Sequence, residues 1–324
     1  MDHAGLLSVV IPTKDRPEML RRAVRSVLGQ TYAPIELLVV DDGSIDPASE
    51  VLEGLGTDDL QRFEVLRHAE NQGGAAARNT GLRAARGKYV AFLDDDDRWT
   101  PHKLEKQVTA LQEAGEATGV CFAGNRQLDA SGDTVDVHIR STDGDISETI
   151  LHGNYIGSFS GVVMRRELLE PVGLLDERFP AWQDWEYFVR LAQHTEFVAV
   201  PEPLVCRYVD HEDRISPGYE AKREIASLMF EECLRGPARE HGVERQVRGS
   251  LQARLGRAAW LEGQFGAARR HYARAIRIYP YDRSFWVFLL ALSGGPHTMR
   301  LAKGVKTLLT QVSYVVKRAR SGGA

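Results

Sequence analysis

The 324-residue sequence predicts an α/β fold: a mostly parallel sheet flanked by helices, followed by a C-terminal α-helical region. Two observations lead to this prediction. Short β-branched apolar runs alternate with segments of helical periodicity in the first part of the chain, as in parallel sheets with right-handed crossovers. Beyond Pro217, the apolar positions recur only at helical spacing.

The N-terminal part alternates strands with helices, element by element. Apolar runs predict strands at residues 6–11, 35–40, 63–66 and 89–93. Apolar residues at helical spacing predict helices at residues 17–30, 48–55, 73–85 and 103–113. Pro17 suits the first turn of the first helix, because the N–H group that proline lacks is unpaired there in any case.

The periodicity weakens between residues 120 and 161, where we expect strands joined by long loops. A strand at 162–164 and a short helix at 166–171 follow. Residues 184–193 predict an amphipathic helix. Residues 197–208 predict a strand, a proline-containing turn and a second strand.

We expect two domains, residues 1–215 and 216–324. Helices are predicted at 222–235 and 245–261 in the second domain. The second domain also contains a segment that resembles part of a tetratricopeptide unit, at positions Ala259, Gly263, Ala268, Tyr272, Ala275 and Pro280. Only one such unit is found, whereas an array needs about three repeats. A helical cap on the first domain is therefore the favoured interpretation.

Composition and charge exclude several classes of protein. The net charge of −4 argues against general binding of nucleic acid. Three widely separated cysteines form neither a zinc-binding spacing nor a disulfide framework, which favours a reducing compartment. No secretory signal precedes the first strand, and no apolar stretch of membrane-spanning length occurs. We expect a cytoplasmic protein, with the cytoplasmic face of the cell membrane as an alternative location.

Four consecutive carboxylates, Asp94 to Asp97, directly follow the apolar run 89–93. Two like charges about 4 Å apart repel by about 4 kcal/mol at an effective dielectric of about 20. A divalent cation relieves that repulsion, and hard oxygen ligands suit Mg²⁺ or Mn²⁺. The alternative is a solvated acidic loop.

Two further turns carry candidate binding groups. In the turn Asp41–Ser44, a carboxylate can accept a hydrogen bond from a nucleobase or a ribose hydroxyl; the alternative is an ordinary Asp-Gly turn. In the segment Asn71–Asn79, a glycine-led helix start can face a phosphate, and Arg78 can reach an anion. The alternative for this segment is a small-residue helix that packs closely on a sheet.

Two single residues remain open between a functional and a structural role. Asp184 begins an amphipathic helix between Trp182 and Trp185, where it can act as an N-cap or take a proton from a sugar hydroxyl. His211 follows the last predicted strand, and it can ligate a metal, contact a diphosphate or lie in a surface loop.

Together these segments resemble the family 2 inverting glycosyltransferases, which have the Rossmann-like GT-A fold of the nucleotide-diphospho-sugar transferase superfamily. The resemblance covers about residues 5–210. It is carried, in order and spacing, by Val9–Thr13, Val39–Ser44, Asn71–Gly73 with Ala77–Gly81, Phe92–Asp97 and Gln183–Trp185. Each motif is weak alone, and the ordered set is a strong signal.

The resemblance implies a role for each matching residue. Asp184 corresponds to the catalytic base that deprotonates the acceptor hydroxyl. Mn²⁺ or Mg²⁺ would be held among Asp94, Asp96, Asp97 and His211. The nucleotide-sugar would be bound by Pro12, Thr13, Asp15, Asp42, Asn71, Gly73, Arg78, Asp94 and Asp95. Gln183 departs from the family pattern, in which glutamate usually precedes the base.

The implied activity is metal-dependent transfer of one sugar, with inversion, from a nucleotide-diphosphate sugar to an acceptor hydroxyl in surface-polysaccharide or glycoprotein glycan assembly. A UDP-sugar is the expected donor, and a glycan or lipid-linked molecule the expected acceptor. The Gln-x-x-Arg-Trp signature of processive synthases is absent. The alternatives are a nucleotide-sugar-binding module and a nucleotide-sugar-forming enzyme of the same fold.

The last predicted helix lies between Arg300 and Arg320. It carries six basic residues, no acidic residue and apolar positions at helical spacing. Such a helix predicts peripheral contact with an anionic membrane surface. Packing of the same apolar face on the helical domain is an equally weighted alternative.

Overall fold

The computed structural model of the protein describes residues 5–208 and 218–292. The chain divides into two compact units, Met1–Ser216 and Pro217–Ala324. The strands of the first unit are β1 (Leu7–Thr13), β2 (Ile35–Asp41), β3 (Arg62–Arg67), β4 (Tyr89–Phe92), β5 (Asp97–Trp99), β6 (Thr118–Leu128), β7 (Thr134–His138), β8 (Val162–Arg165) and β9 (Glu196–Tyr208). Its helices are α1 (Pro17–Leu28), α2 (Ala48–Val51), α3 (Gly74–Ala84), α4 (Lys103–Glu113), α5 (Leu169–Val172) and α6 (Gln183–Ala192).

One mixed sheet organises the first unit. Its strand order is β3-β2-β1-β4-β8-β6-β9-β5, with β7 paired to β6. The pairs β3-β2, β2-β1 and β1-β4 are parallel, as the alternation of strands and helices predicts. The predicted α/β class is confirmed, but parallel pairing does not dominate beyond β4. There β8 is antiparallel to both of its neighbours, and β5 is antiparallel to β9.

Buried apolar side chains cover both faces of the parallel strands. Leu7, Val9 and Ile11 of β1 belong to one core cluster with Leu20 and Val24 of α1. Burial on both faces explains why these strands appear in the sequence as continuous apolar runs rather than alternating ones.

Helix α3 packs closely on the other face of the sheet. A Cβ atom added to Gly81 would lie 2.3 Å from Cγ1 of Val10. The small residues Ala75, Ala76 and Ala77 of α3 are also buried. The close-packing interpretation of this helix is therefore confirmed.

The segment 196–208 is one long strand rather than the predicted strand, turn and strand. It contains Pro201 and Pro203 and pairs in parallel with β6. The pairing register shifts at Ala123, Gly124 and Asn125 of β6, opposite the prolines. Proline lacks the N–H that a regular ladder needs, so an irregularity of this kind lets the strand continue past it.

The described part of the second unit is helical, as predicted. It comprises α7 (Tyr219–Leu228), a π-helical segment (Met229–Leu234), α8 (Arg235–Glu240), α9 (Glu244–Leu261), α10 (Phe265–Ile278) and α11 (Arg283–Ala291). Tyr272 of α10 stacks on Phe288 of α11 with 5.4 Å between ring centroids. Within residues 5–208 and 218–292, every helix is too short or too polar to cross a bilayer. His211 and the predicted basic helix between Arg300 and Arg320 lie outside the described residues.

Candidate active site

The candidate active site lies at one edge of the sheet because parallel strands deliver their carboxyl ends to the same side. Strands β1, β2 and β4 are neighbours, and they end at Thr13, Asp41 and Phe92. The acidic run Asp94–Asp97 therefore begins beside Thr13. The hydroxyl of Thr13 donates a 2.8 Å hydrogen bond to Oδ2 of Asp95.

A cleft of about 200 Å³ opens beside the ends of β1 and β2. Asp15 stands at its wall with a φ of 53°, a conformation that aspartate tolerates better than most residues. Its carboxylate accepts a 2.7 Å hydrogen bond from the N–H of Ile45, which joins the two strand ends. The other lining residues are Thr13, Arg16, Pro17, Leu20, Ser44, Asp46, Ala48 and Val51. The cleft is concave and partly polar, and two of the residues predicted to bind the nucleotide-sugar, Thr13 and Asp15, line it.

The carboxylates of Asp41 and Asp42 both accept hydrogen bonds from backbone N–H groups of the chain. Asp41 accepts from the N–H groups of Ser44 and Ala48, and its pKa lies below the usual value although burial alone would raise it. Asp42 accepts from Gln72 and Gly73 at 2.8 Å each, and it also contacts Nδ1 of His68 at 2.8 Å. The carboxylate of Asp42 therefore binds the two N–H groups that immediately precede α3.

This arrangement changes what the predicted residues of the 71–73 turn can do. Asn71 is exposed, and its side-chain oxygen accepts from the N–H of Gly73. A Cβ atom at Gly43 would lie 2.9 Å from the carbonyl carbon of Glu70, so the two turns are in direct contact. Asp42, Asn71 and Gly73 are brought together beside the cleft, but they are already hydrogen-bonded to one another or to the backbone.

Asp95 is the buried link between the cleft and the acidic run. Its carboxylate accepts from Thr13 and from Nη1 of Arg16, the latter at 2.9 Å. Burial raises its pKa to about 6, against the lowering effects of Arg16 and Thr13. Nη1 of Arg16 also lies 3.7 Å from Oδ2 of Asp96, so one guanidinium serves two carboxylates. This geometry suits a positioning role for Asp95.

Asp94, Asp96 and Asp97 converge to form a candidate metal centre. One carboxylate oxygen of each lies within 4.8 Å of the others. Oxygens on opposite sides of an octahedral Mg²⁺ stand about 4 Å apart, so a small closure of this cluster suffices for coordination. Oδ2 of Asp97 is buried without a hydrogen-bond partner, and burial raises the pKa of Asp97 to about 7. An all-oxygen set with an unsatisfied buried carboxylate atom fits Mg²⁺ or Mn²⁺.

Arg207 is a site residue that the sequence analysis missed. Its Nε lies 3.6 Å from Oδ1 of Asp97. Burial lowers its pKa, but four carboxylates outweigh that effect and raise it: Asp97, Asp94, Asp96 and Asp184. The available signal was an arginine in the otherwise apolar end of a strand, Leu204–Tyr208. Arg16 carried a similar signal, because it stands where a capping serine or aspartate is usual.

Arg78 connects the acidic run to the helix that carries Asp184. Its Nη2 donates to the carboxylate of Asp94, and its Nη1 donates to the carbonyl of Gly74 and, at 3.4 Å, to Oε1 of Gln183. The guanidinium also lies over the ring of Phe159, 4.7 Å from its centroid. Gln183 therefore takes part in the site although it departs from the family pattern.

Asp184 is half-buried in the first turn of α6. The helix begins at Gln183 with Trp182 as N-cap residue, so Asp184 does not occupy the N-cap position. Its Oδ2 accepts a 2.8 Å hydrogen bond from Nδ2 of Asn154, and its Oδ1 accepts from the N–H of Trp185. Burial and the charge of Asp94 raise its pKa. A raised pKa makes this carboxylate a stronger base than an ordinary aspartate.

The predicted residues fall into three groups. Pro12 lies on β1, opposite Val40 of β2. The cleft, the acidic run, Arg78 and Asp184 form one connected region through the contacts above. His211 lies outside the described residues.

Comparison with known proteins supports the family resemblance. The model of the glycosyl transferase family 2 matches residues 8–173, just over half of the chain. An uncharacterized glycosyltransferase of Nostoc sp. is 36% identical over 187 residues, which cover 55% of this chain and 56% of the relative. The UDP-Glc:alpha-D-GlcNAc-diphosphoundecaprenol beta-1,3-glucosyltransferase WfgD of Escherichia coli is 40% identical over 107 residues, 33% of this chain and 41% of the relative. The chain thus spans about half the length of these relatives.

Solved structures show the same fold. S. aureus TarS 1-349 in complex with UDP superposes with a TM-score of 0.60 at 19% identity, covering 89% of this chain and 87% of that one. The mannosyltransferase PcManGT from Pyrobaculum calidifontis, in complex with GDP-Man and Mn²⁺, gives a TM-score of 0.54 at 19% identity, with 93% and 86% covered. From the extent of the family match, this chain belongs to glycosyl transferase family 2.

Proposed function

We propose that residues 1–215 form the catalytic domain of an inverting glycosyltransferase, and that residues 216–324 are an accessory helical region. The domain moves one sugar from a nucleotide-diphosphate sugar to an acceptor hydroxyl. One observation carries the proposal: Arg78 binds Asp94 of the candidate metal cluster and also Gln183, the neighbour of Asp184. A base candidate and a leaving-group site are thereby held in one network.

The cleft beside β1 and β2 receives the nucleoside. Asp15 and the polar groups of Ser44 line it, and Asp95 ties its floor residue Thr13 to the acidic run. The diphosphate then extends from the cleft toward Asp94–Asp97. Asp42, Asn71 and Gly73 shape the neighbouring turn, and their hydrogen bonds keep that turn in place beside the cleft.

Asp94, Asp96 and Asp97 would hold the Mn²⁺ or Mg²⁺ ion. Such an ion stabilises the negative charge that develops on a departing nucleoside diphosphate. Arg207 and Arg16 reduce the repulsion among the carboxylates, since each guanidinium lies near more than one of them. The protein can therefore assemble the cluster before donor and metal arrive.

Asp184 accepts the proton of the acceptor hydroxyl as that oxygen attacks the anomeric carbon. Asn154 orients its carboxylate, and the raised pKa brings its basicity closer to what neutral-pH catalysis requires. A single displacement of this kind inverts the configuration at the anomeric carbon. Transfer of one sugar per acceptor agrees with the absence of the processive signature.

We propose a UDP-sugar as the donor and a glycan or lipid-linked molecule as the acceptor, in surface-polysaccharide or glycan assembly. TarS binds UDP in its solved complex, and WfgD is named for a UDP-glucose donor and a diphosphoundecaprenol-linked acceptor. These relatives support the class of substrate.

The test is hydrolysis and transfer across a donor panel of UDP-glucose, UDP-galactose, UDP-N-acetylglucosamine and GDP-mannose, with Mn²⁺ or with EDTA. We expect metal-dependent release of the nucleoside diphosphate from at least one donor, and loss of release in Asp184→Asn. Asp133→Asn, at an exposed loop aspartate, is the matched control. Donor binding without turnover by the wild-type chain would favour the binding module instead. Formation of nucleotide-sugar from a sugar phosphate would favour the nucleotide-sugar-forming enzyme.

A further inference from the structure

A fully buried serine from a distant part of the chain contacts the acidic run. Oγ of Ser160 accepts a 3.0 Å hydrogen bond from the N–H of Asp94, 66 residues earlier in the sequence. The same hydroxyl also lies close enough to Asp97 to lower the pKa of its carboxyl, against the larger raising effect of burial. Ser160 thus lies beside both ends of the run, and it binds the backbone N–H of the first aspartate.

Strand register explains why this serine reaches Asp94. Strands β4 and β8 are antiparallel, with Tyr89 opposite Arg165 and Ala91 opposite Val163. If that register is continued beyond the last paired residues, position 94 falls opposite position 160. The backbone ladder has ended there, and the side chain of Ser160 supplies the acceptor that the N–H of Asp94 would otherwise lack.

The backbone around Ser160 is itself held from behind. Its carbonyl accepts a 2.8 Å hydrogen bond from Nε1 of Trp99, at the end of β5. The carbonyl of Gly161 accepts a 2.9 Å hydrogen bond from Nε2 of Gln107 on α4. Both donors are buried, so little freedom remains for the hydroxyl to move away from the acidic run.

We propose that Ser160 is a positioning residue for the metal centre, which holds Asp94 and Asp97 at the separation that a divalent cation requires. This inference rests on the proposed function, because it assumes that the acidic cluster binds Mn²⁺ or Mg²⁺. Groups that orient metal ligands in this way change metal affinity about 10- to 100-fold when they are removed. A serine that only stabilised the end of β4 would change stability without changing affinity.

Ser8 provides a matched control. It is also fully buried, donates to the carboxylate of Glu36 and accepts a 2.8 Å hydrogen bond from the N–H of Gly87. Ser8→Ala therefore removes an equivalent pair of hydrogen bonds from another part of the sheet, away from the acidic run.

The experiment measures direct binding of Mn²⁺ to the full chain, by the loss of the electron paramagnetic resonance signal of the free ion. The variants are wild type, Ser160→Ala and Ser8→Ala, with thermal unfolding recorded without metal. We expect the Kd for Mn²⁺ to rise at least about 10-fold in Ser160→Ala and to stay unchanged in Ser8→Ala, while both variants unfold at lower temperature. Ser160→Cys, which keeps a weak donor and acceptor, should give an intermediate Kd and replaces the alanine variant if that variant does not fold.

The outcomes separate this inference from the proposed function. Wild-type affinity in Ser160→Ala, or an equal loss of affinity in Ser8→Ala, would overturn the positioning role and leave the metal centre intact. Failure of the wild-type chain to bind Mn²⁺ would overturn the metal-dependent function itself.

Discussion

Replacing Asn154 by alanine should move the acid limb of the turnover–pH profile to higher pH. Nδ2 of Asn154 donates a 2.8 Å hydrogen bond to Oδ2 of Asp184. A donor of this kind favours the ionised carboxylate and so keeps its pKa down. Burial and the charge of Asp94 already raise the pKa of Asp184, and the loss of the donor raises it further. The base is active only when ionised, so activity falls as the pH drops through that pKa.

The magnitude follows from the strength of the bond. A hydrogen bond to a charged group contributes about 1.5–3 kcal/mol. One pKa unit corresponds to about 1.4 kcal/mol, so the full loss would raise the pKa by about one to two units. Asp184 is only half-buried and water can replace part of the interaction, so we expect a shift of about one unit.

The assay measures the turnover number for release of the nucleoside diphosphate at saturating donor and Mn²⁺, between about pH 5 and 9. An aspartate with an ordinary pKa is already ionised throughout this range, so only a raised pKa produces an acid limb there. Ser158→Ala, at a partly exposed serine of the same loop, is the matched control and should leave the profile unchanged. An Asn154→Ala profile that coincides with that of the wild type would refute the role of Asp184 as the titrating base.

Four further changes test other parts of the site and the fold. Asp184→Asn should lower turnover by about 10² or more while donor-dependent thermal stabilisation with Mn²⁺ persists; near-normal turnover would contradict the base assignment. Arg16→Met should lower the free energy of unfolding by about 3 kcal/mol, because it leaves the buried Asp95 without its cation. The carboxyl of Asp95, whose pKa is raised, lowers stability only when it is ionised, so the loss caused by Arg16→Met should be largest above pH 7 and should shrink as the pH falls through about 6. Denaturant unfolding at pH 5 and pH 8 tests this. A loss of the same size at both pH values would argue against it. Gly81→Ala should destabilise the fold by about 1–3 kcal/mol, because the added methyl group clashes with Val10. The control Gly236→Ala, whose added methyl group meets no atom within 4 Å, should not lower the melting temperature. Equal melting temperatures of the two variants would contradict the packing argument. Excess EDTA should abolish transfer by the wild-type chain and added Mn²⁺ or Mg²⁺ should restore it; full activity with EDTA would exclude the metal-dependent mechanism.

Local patterns were enough to predict the parallel part of the sheet. The runs that form β1, β2 and β4 are mostly apolar because both faces are covered, and the intervening helices show their buried faces at 3.6-residue spacing. The ends of neighbouring parallel strands must meet, so the meeting of Thr13, Asp42 and the acidic run at one edge also followed from the sequence. The positions of Asp184 and Arg78 came from the family resemblance rather than from periodicity.

The same local patterns were misleading where prolines lie within a paired strand. Pro201 and Pro203 indicate a turn in the sequence, but the irregular pairing with β6 keeps the segment in one strand. There, tertiary pairing decided between two local structures that the sequence allows.

The sequence by itself determined the fold class, the sheet edge that carries the chemistry and the residue types available there, since these depend on periodicity and on the direction of the strands. Only the tertiary structure decided which polar side chains bind the candidate site residues. Asn154 reaches Asp184 across 30 residues, and Ser160 reaches Asp94 across 66. Arg207 lies beside Asp97 because β5 and β9 are paired in that register. A hydrogen bond or an ion pair forms only at contact distance, and the contacts between distant segments are set by strand register and packing, which no short stretch of sequence encodes.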